Sequence, residues 1–367
     1  MASARCAIVG SGLAALATYT TLRHGGVAPE EIVVFGTHAD PTSVWARRAA
    51  SIRQQHMRSE SDGHLAAAAF PGLAVREATR RISIRPLLQT VTNRYRPTVD
   101  AFLADAERLR STSGWERSFV ERRIARVRAV DGGFQLDGEG SFAHVLIATG
   151  HPGLARVPGA VHAYEPHEYA ARVAIVGAGM AAATEWLNAL AAGSEVVSIR
   201  RREPLRRPLN LPREYFSKRG LESFHRLAPP QRAVALHELS TPSYPPGAEW
   251  DEPIDRALRE GRLRVVSRSS DDAQSTAWAE QVISATGFTA GFAADPLLAD
   301  LVAEHALATH DRWIVLDSDS TVPDLTDDVR TLSLAGVAGQ WAFPASDTIA
   351  GAKYAARAFL RRVCRTR

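Results

Sequence analysis

One pattern of apolar and small residues occurs twice in this chain. "CAIVGSGLAALATYTTL" (6–22) returns as "VAIVGAGMAAATEWLNAL" (173–190). Each copy is a short β-branched run, then G-x-G-x-x-A, then an alanine-rich helical stretch. A further apolar strand follows each, "EIVVF" (31–35) and "SEVVSIR" (194–200). Runs apolar on both faces are those of parallel strands buried in a sheet. The pattern predicts two βαβ openings, and two copies specify that fold much better than one motif would.

A second repeat lies behind the first. "AHVLIATGHPG" (143–153) and "EQVISATGFTAG" (280–291) both run an apolar strand into Ala-Thr-Gly. A strand ending in glycine lets backbone approach a ligand closely, because no Cβ intervenes. Ahead of the first of these, "TVDAFLADAERLRS" predicts a helix. "SFVERRIARVRAV", "GGFQL" and "GSFAHVLIATG" then predict a β-ribbon turned at Asp131-Gly132-Gly133 and Asp137-Gly138. The chain closes with a strand and Gly-rich turn, "RTLSLAGVAGQW", and a helix from about Asp347, for which Ser346 or Asp347 is the expected cap.

The length of 367 residues suits two domains. A content of 45% hydrophobic and 23% charged residues is that of a folded chain, and the formal charge is only +4. Lys218 and Lys353 are the only lysines; the arginines are spread along the chain and not interleaved with aromatics, which argues against nucleic acid. No apolar run reaches the ~18 residues of a membrane span, and the basic tail "RAFLRRVCRTR" reads as a helix end complementing its dipole. The N-terminus enters a strand with no room for a signal peptide, so a cytoplasmic protein is expected. Cys6 and Cys364 stand at opposite ends without C-x-x-C, which excludes dithiol disulfide chemistry and a cysteine metal site.

In the first loop Gly10 permits the tight turn and Gly12 admits a diphosphate, with Ser11 and Ala14 beside them. Ala15 takes the place of a third glycine. The second loop reads likewise through Gly177, Gly179, Met180, Ala181 and Ala182. Its strand ends in Arg200, Arg201 and Arg202, a planar set of donors suited to a 2′-phosphate, so NADPH is expected over NADH. The first strand ends differently. Where an acid normally grips a ribose, Phe35 is followed by Gly36.

The series GxGxxA, ATG, GxGxxA, ATG, AG resembles the two-dinucleotide-binding-domain flavoproteins over nearly the whole chain. The resemblance implies an α/β fold of two Rossmann-like domains, with FAD in the first and NAD(P)H in the second. It implies an FAD domain of residues 1–155 plus 290–367, an NADPH domain of 170–288 inserted into it, and a hinge at 156–169. Val337 stands where the disulfide reductases carry aspartate. Other segments are similar to class B flavin monooxygenases, the Baeyer–Villiger, dimethylaniline-type and lysine/ornithine N-hydroxylating enzymes. "SATGF" (284–288) is similar to L-A-T-G-[YF], and "GMAAATE" (179–185) to G-x-S-A-x-E, with Glu185 matching. "LNLPREYFSKRGLESFHRL" (209–227) looks like the segment bordering the nicotinamide, through Asn210 and Phe216. The family's F-x-G-x-x-x-H survives only as Val161-His162-Ala163-Tyr164-Glu165-Pro166-His167. His162, Glu165 and His167 resemble a metal cluster, but Pro166 and the hinge position argue against one.

The resemblance further implies that residues 45–64 pass the flavin. Trp45, His56, Met57 and Arg58 are then cofactor contacts, with Arg58, Asp62 and His64 the catalytic candidates. Ala148, Thr149, Gly150, Thr286, Gly287, Gly336 and Trp341 are further contacts, and Trp341 and Phe343 are expected to wall the substrate pocket. Thr37, the backbone at Gly36 or Asp40 would replace the missing ribose acid, so a looser FAD is expected, tightened by Gly36→Glu. The implied reaction is oxygenation of a small molecule by O2 through a C4a-(hydro)peroxyflavin, N-hydroxylation of an amine being one such case. An NADPH- and flavin-dependent reductase, for example of an imine, and a non-catalytic dinucleotide-binding protein are the alternatives. Whether the chain forms homo-oligomers is open.

Overall fold

The computed structural model describes residues 4–58, 72–91, 95–247, 250–267 and 276–365. Its first sheet has five parallel strands, in the order Thr331–Leu334, His144–Ile147, Cys6–Val9, Ile32–Gly36 and Phe119–Glu121. Cys6–Val9 lies at the centre, no residue of it more than 2% exposed, which is why it reads as an unbroken apolar run. Alternate residues serve opposite faces. Cys6 and Ile8 pack with Leu16, Tyr19 and Phe359, from the helices Leu13–His24 and Ile349–Arg365. Ala7 and Val9 pack with Phe134, Leu136 and Phe142 beneath an antiparallel layer formed by Val127–Val130, Gly133–Leu136 and Ser141–Phe142.

The second sheet is also parallel, in the order Leu263–Ser267, Glu195–Arg200, Arg172–Val176, Gln281–Ser284 and Val161–His162. Helix Met180–Ala191 covers it, with Trp186 2% exposed. In both sheets the strand before the G-x-G loop lies between its βα partner and the strand that ends in Ala-Thr-Gly. The sequence repeat is therefore a topological repeat, and the fold is two Rossmann-like units.

Three details differ from the sequence reading. Phe119–Glu121 leaves the expected ribbon and joins the first sheet beside Ile32–Gly36. Val161–His162, within the segment read as hinge, is the edge strand of the second sheet. The last helix begins at Ile349, and its cap is Thr348, whose Oγ1 accepts from the Gly351 N–H at 3.2 Å, not Ser346 or Asp347. Among the described residues no helix is long and apolar enough to cross a membrane.

The contact of the first and last helices holds the first sheet's outer face shut. Phe359 is fully buried there. Phe359→Ala should destabilise the protein by about 3–5 kcal/mol, the cost of truncating a core aromatic, measured by urea unfolding.

Candidate functional site

Both G-x-G loops are shaped by one backbone contact. Gly10 has φ +113°, its N–H donates to the Phe35 carbonyl at 2.7 Å, and a Cβ on it would lie 2.6 Å from the Ala148 carbonyl carbon. Gly177 repeats this with φ +145° and 2.8 Å to the Ala285 carbonyl carbon. The first glycine of each loop is thus required by the Ala-Thr-Gly strand beside it. The second glycine meets open space: nothing lies within 4 Å of a Cβ at Gly12, and only Pro242, at 4.0 Å, near one at Gly179. Gly12 and Gly179 are the N-caps of Leu13–His24 and Met180–Ala191, and neither helix start has a side-chain cap. Two helix N-termini with unsatisfied N–H groups and clear space before them suit two diphosphates.

Two cavities lie at the carboxyl ends of the two sheets, where ligands of open α/β folds bind. One, of about 750 Å³, is lined by Gly150, the second loop from Gly177 to Ala181, Thr286 and Gly287, and ends at Arg200, Arg201 and Arg202. Arg200 pairs with Glu203 at 2.6 Å, which leaves Arg201 and Arg202 as exposed cations making no ion pair with a described residue. The other, of about 810 Å³, is lined by Ala14, Trp45, Met57, Arg58, Gly336 and the segments 209–217 and 346–352.

The cavities meet at His151, Tyr164, Met180 and Phe288, which line both. Here His151 stacks on Phe288 with centroids 3.9 Å apart, Tyr164 stacks on Phe288 at 5.2 Å, and the Arg48 guanidinium lies 4.7 Å from the Phe288 centroid. Burial, and secondly the Arg48 charge, pushes the His151 pKa down to about 4, so its imidazole is neutral. Only Met180 of these four was a candidate from sequence. The position of His151, directly after the first Ala-Thr-Gly, was the available signal.

The remaining candidates fall in several places. Arg58 is largely buried and donates to the Ser243 carbonyl at 3.1 Å, the Ser243 Oγ at 2.7 Å, and the Arg207 and Leu209 carbonyls at 3.4 Å, tying the first unit to the 205–245 region. Burial, then the Arg207 charge, lowers its pKa to about 10. Asp62 and His64 lie outside the described residues. His56 is exposed, bridges Thr98 and lines neither cavity, so it is not placed as a contact. Thr149 donates to Asp295 at 2.6 Å, and Thr286 donates to the Ala155 carbonyl, so both hydroxyls brace local structure. Ala15 and Ala148 are buried packing positions. Trp341 and Phe343 line neither cavity. Trp341 is 1% exposed in the core beneath the first sheet, and Phe343, at 4%, packs on Leu211 and Leu221. Their spacing in a Gly-rich turn gave no sign of which way they face.

His162, Glu165 and His167 diverge. His162 contacts the Gly287 carbonyl, Glu165 pairs with Arg156, and His167 reaches the fully buried Glu185 at 2.9 Å. Among the described residues no group of three or more His, Cys, Asp or Glu is placed to hold a metal.

Gly36 has a local explanation. A Cβ there would overlap the Oγ and Cβ of Ser11 and lie 3.0 Å from the Ser11 N. Ser11, 7% exposed, fills the place an acidic side chain would cross, and its Oγ accepts from the His38 N–H at 3.3 Å. Asp40 does not reach back, because its Oδ1 accepts from both the N–H and the hydroxyl of Thr42, at 2.8 and 2.7 Å. Thr37 is exposed and lines neither cavity.

No family model matches the chain, and no curated protein sequence matches it significantly. Its fold is that of flavoprotein monooxygenases of known structure. The cadaverine monooxygenase of desferrioxamine biosynthesis from Erwinia amylovora, bound to FAD, superposes with a TM-score of 0.73 at 12% identity, over 98% of this chain and 94% of that one. The ornithine N-hydroxylase of Kutzneria sp. 744, with reduced FAD, NADP+ and L-ornithine, gives 0.70 at 16% identity, over 98% and 100%. The ornithine hydroxylase of Pseudomonas aeruginosa gives 0.66 at 16%, over 98% and 99%.

Two outcomes are expected. Gly36→Glu, which the sequence alone marks as tightening FAD, should instead lower stability and weaken FAD, whereas Ser11→Gly with Gly36→Glu should bind FAD more tightly than Gly36→Glu alone. Equilibrium dialysis against FAD measures both. His151 binds its proton near pH 6.5 when unfolded but only near pH 4 when folded. Its contribution is therefore present above pH 6.5 and is lost as pH falls toward 4, by up to about 3 kcal/mol. His144 carries the same shift. Urea unfolding from pH 7 to 4.5 should show a clearly shallower loss for His151→Gln than for the wild type.

Proposed function

We propose that the protein is an FAD- and NADPH-dependent monooxygenase that oxygenates a small molecule bearing an amine. The observation that carries this reading is the meeting of two cavities at one stacked partition, each cavity beginning at an uncapped helix N-terminus. That is the arrangement needed to bring a nicotinamide to a flavin. Structures with the same fold that hold FAD, NADP+ and an amine substrate support it. We assign residues 1–155 and 290–367 to the FAD-binding domain and 170–288 to the NADPH-binding domain.

FAD, when bound, supplies the hydride acceptor and the site of O2 activation. The N–H groups from Leu13 onward, with clear space at Gly12, hold its diphosphate. Trp45, Met57 and Ile349 line the larger cavity with apolar surface that keeps water from the reacting atoms. In the other domain Gly179 and the first turn from Met180 hold the second diphosphate, and Arg201 and Arg202 grip a 2′-phosphate. A cytoplasmic NADPH pool is the setting this reading requires.

A flavin-dependent reductase of an imine is the second reading. It is favoured by the hinge motif, in which Val161 and Ala163 replace the family residues and the surviving His167 is held on Glu185, lining neither cavity. Oxygen uptake matched to NADPH oxidation, in the presence of cadaverine or ornithine as trial substrates, supports the monooxygenase. Full turnover under strict anaerobiosis would establish the reductase.

Replacing Arg201 and Arg202 together by alanine should raise KM for NADPH by about tenfold or more, as expected for losing two charged contacts to a phosphate, and leave KM for NADH nearly unchanged. Equal kcat/KM for both nucleotides in the wild type would refute the NADPH assignment.

A further inference from the structure

Asp347 is the one carboxylate among the described residues lining the larger cavity. It stands between the Gly-rich turn and the last helix, yet it does not cap that helix, since Thr348 accepts the Gly351 N–H. Its side chain makes no hydrogen bond or ion pair with any other described residue. Asp347 is exposed, and it opens into the cavity beside the buried Ser346. Lost hydration raises its pKa, and the Arg58 charge partly opposes that. Arg58 makes no ion pair with it; its two terminal nitrogens donate to Ser243 and to the Arg207 and Leu209 carbonyls, and its Nε has no hydrogen-bond partner. The other charged groups of the wall are Arg48, which lies over the Phe288 ring, and Arg213.

The residue beside it is in a similar condition. Ser346 is 3% exposed, lines the same cavity, and its Oγ has no hydrogen-bond partner. Trp45, Met57, Phe216 and Ile349 supply apolar wall to this cavity. The buried, unpaired Ser346 hydroxyl is costly in the empty protein, and Asp347 beside it is an anion with no partner among the described residues. A ligand that brings a cationic N–H donor pairs with both; a ligand of the same shape without the charge leaves the carboxylate unpaired.

We propose that Asp347 is the specificity-determining carboxylate of the larger cavity, holding the substrate's protonated nitrogen with Ser346 as a second acceptor and taking its proton when that nitrogen reacts. This rests on the monooxygenase reading for its chemical step. The ammonium N–H bond breaks, the proton goes to the Asp347 carboxylate, and the freed lone pair forms the N–O bond. One atom of O2 enters the product; the other leaves as water, which carries the hydride of NADPH and the proton that Asp347 passes on, so that the carboxylate is restored.

The test is binding, read by calorimetry on the FAD-loaded protein with pentylamine and pentanol as probes of one shape and different charge. Wild type should prefer pentylamine, and its affinity should fall as pH is lowered through the raised carboxyl pKa. Asp347→Asn should weaken pentylamine by about tenfold, the effect of losing a charge-assisted hydrogen bond, and leave pentanol unchanged. Ser346→Ala should weaken pentylamine by a smaller factor. Equal losses for amine and alcohol, an unchanged amine affinity in Asp347→Asn, or no amine binding by the wild type would overturn the assignment. Should Asp347→Asn fail to fold, the pH dependence of pentylamine over pentanol in the wild type decides the matter. Charge-selective binding without NADPH-linked oxygen uptake would keep the site and remove the monooxygenase reading. Oxygen uptake with amine binding indifferent to Asp347→Asn would do the reverse.

Discussion

The structure depends on a backbone-on-backbone contact made twice: a glycine loop pressed against the strand that ends in Ala-Thr-Gly. Gly10 against Ala148 and Gly177 against Ala285 leave no space for a side chain, and both glycines are in left-handed backbone that other residues adopt with strain. This contact fixes where each following helix begins and which way its first N–H groups point. It also sets the Ala-Thr-Gly strand beside the same opening, so that His151 and Phe288, the residues directly after the two glycines, come from opposite sheets into one stack. The diphosphate positions and the partition between the cavities are consequences of the same geometry.

Residues of one type and local order were readable from the chain; contacts between distant segments were not. The parallel strands announced themselves because burial on both faces demands continuous apolar runs, and the glycine loops because the turns leave no other residue free of strain. The surroundings of Gly36 were illegible for a spatial reason. Its neighbour is Ser11, 25 positions away, and no periodicity encodes that overlap. Trp341 and Phe343 were misplaced because a Gly-rich turn has no face, and only packing shows that both rings turn inward. The cap of the last helix moved by a residue, since Ser346, Asp347 and Thr348 are all chemically competent and local geometry selects among them.

Charge in the two cavities is arranged by commitment more than by number. Three arginines border the larger cavity, but Arg58 spends its two terminal nitrogens on carbonyls and a hydroxyl of the 205–245 region. It acts as a rivet between segments of the two halves of the chain. At the other end Arg200 is neutralised by Glu203 while Arg201 and Arg202 face outward. Cations already engaged shape the walls; cations still unpaired are available to a phosphate.

The connectivity of the first sheet has a consequence for how the molecule is made. Thr331–Leu334 is its edge strand and Ile349–Arg365 covers its face, so its last pieces emerge after the whole second sheet. The second sheet is complete by Ser284. On the ribosome the inserted unit therefore finishes before its host, and the host's apolar face stays uncovered while more than a hundred residues are added between its early strands and its closing helix. Pairing across so long a separation costs loop-closure entropy before any contact rewards it. An already folded insertion shortens that effective loop, holding the two ends of the host close enough to meet.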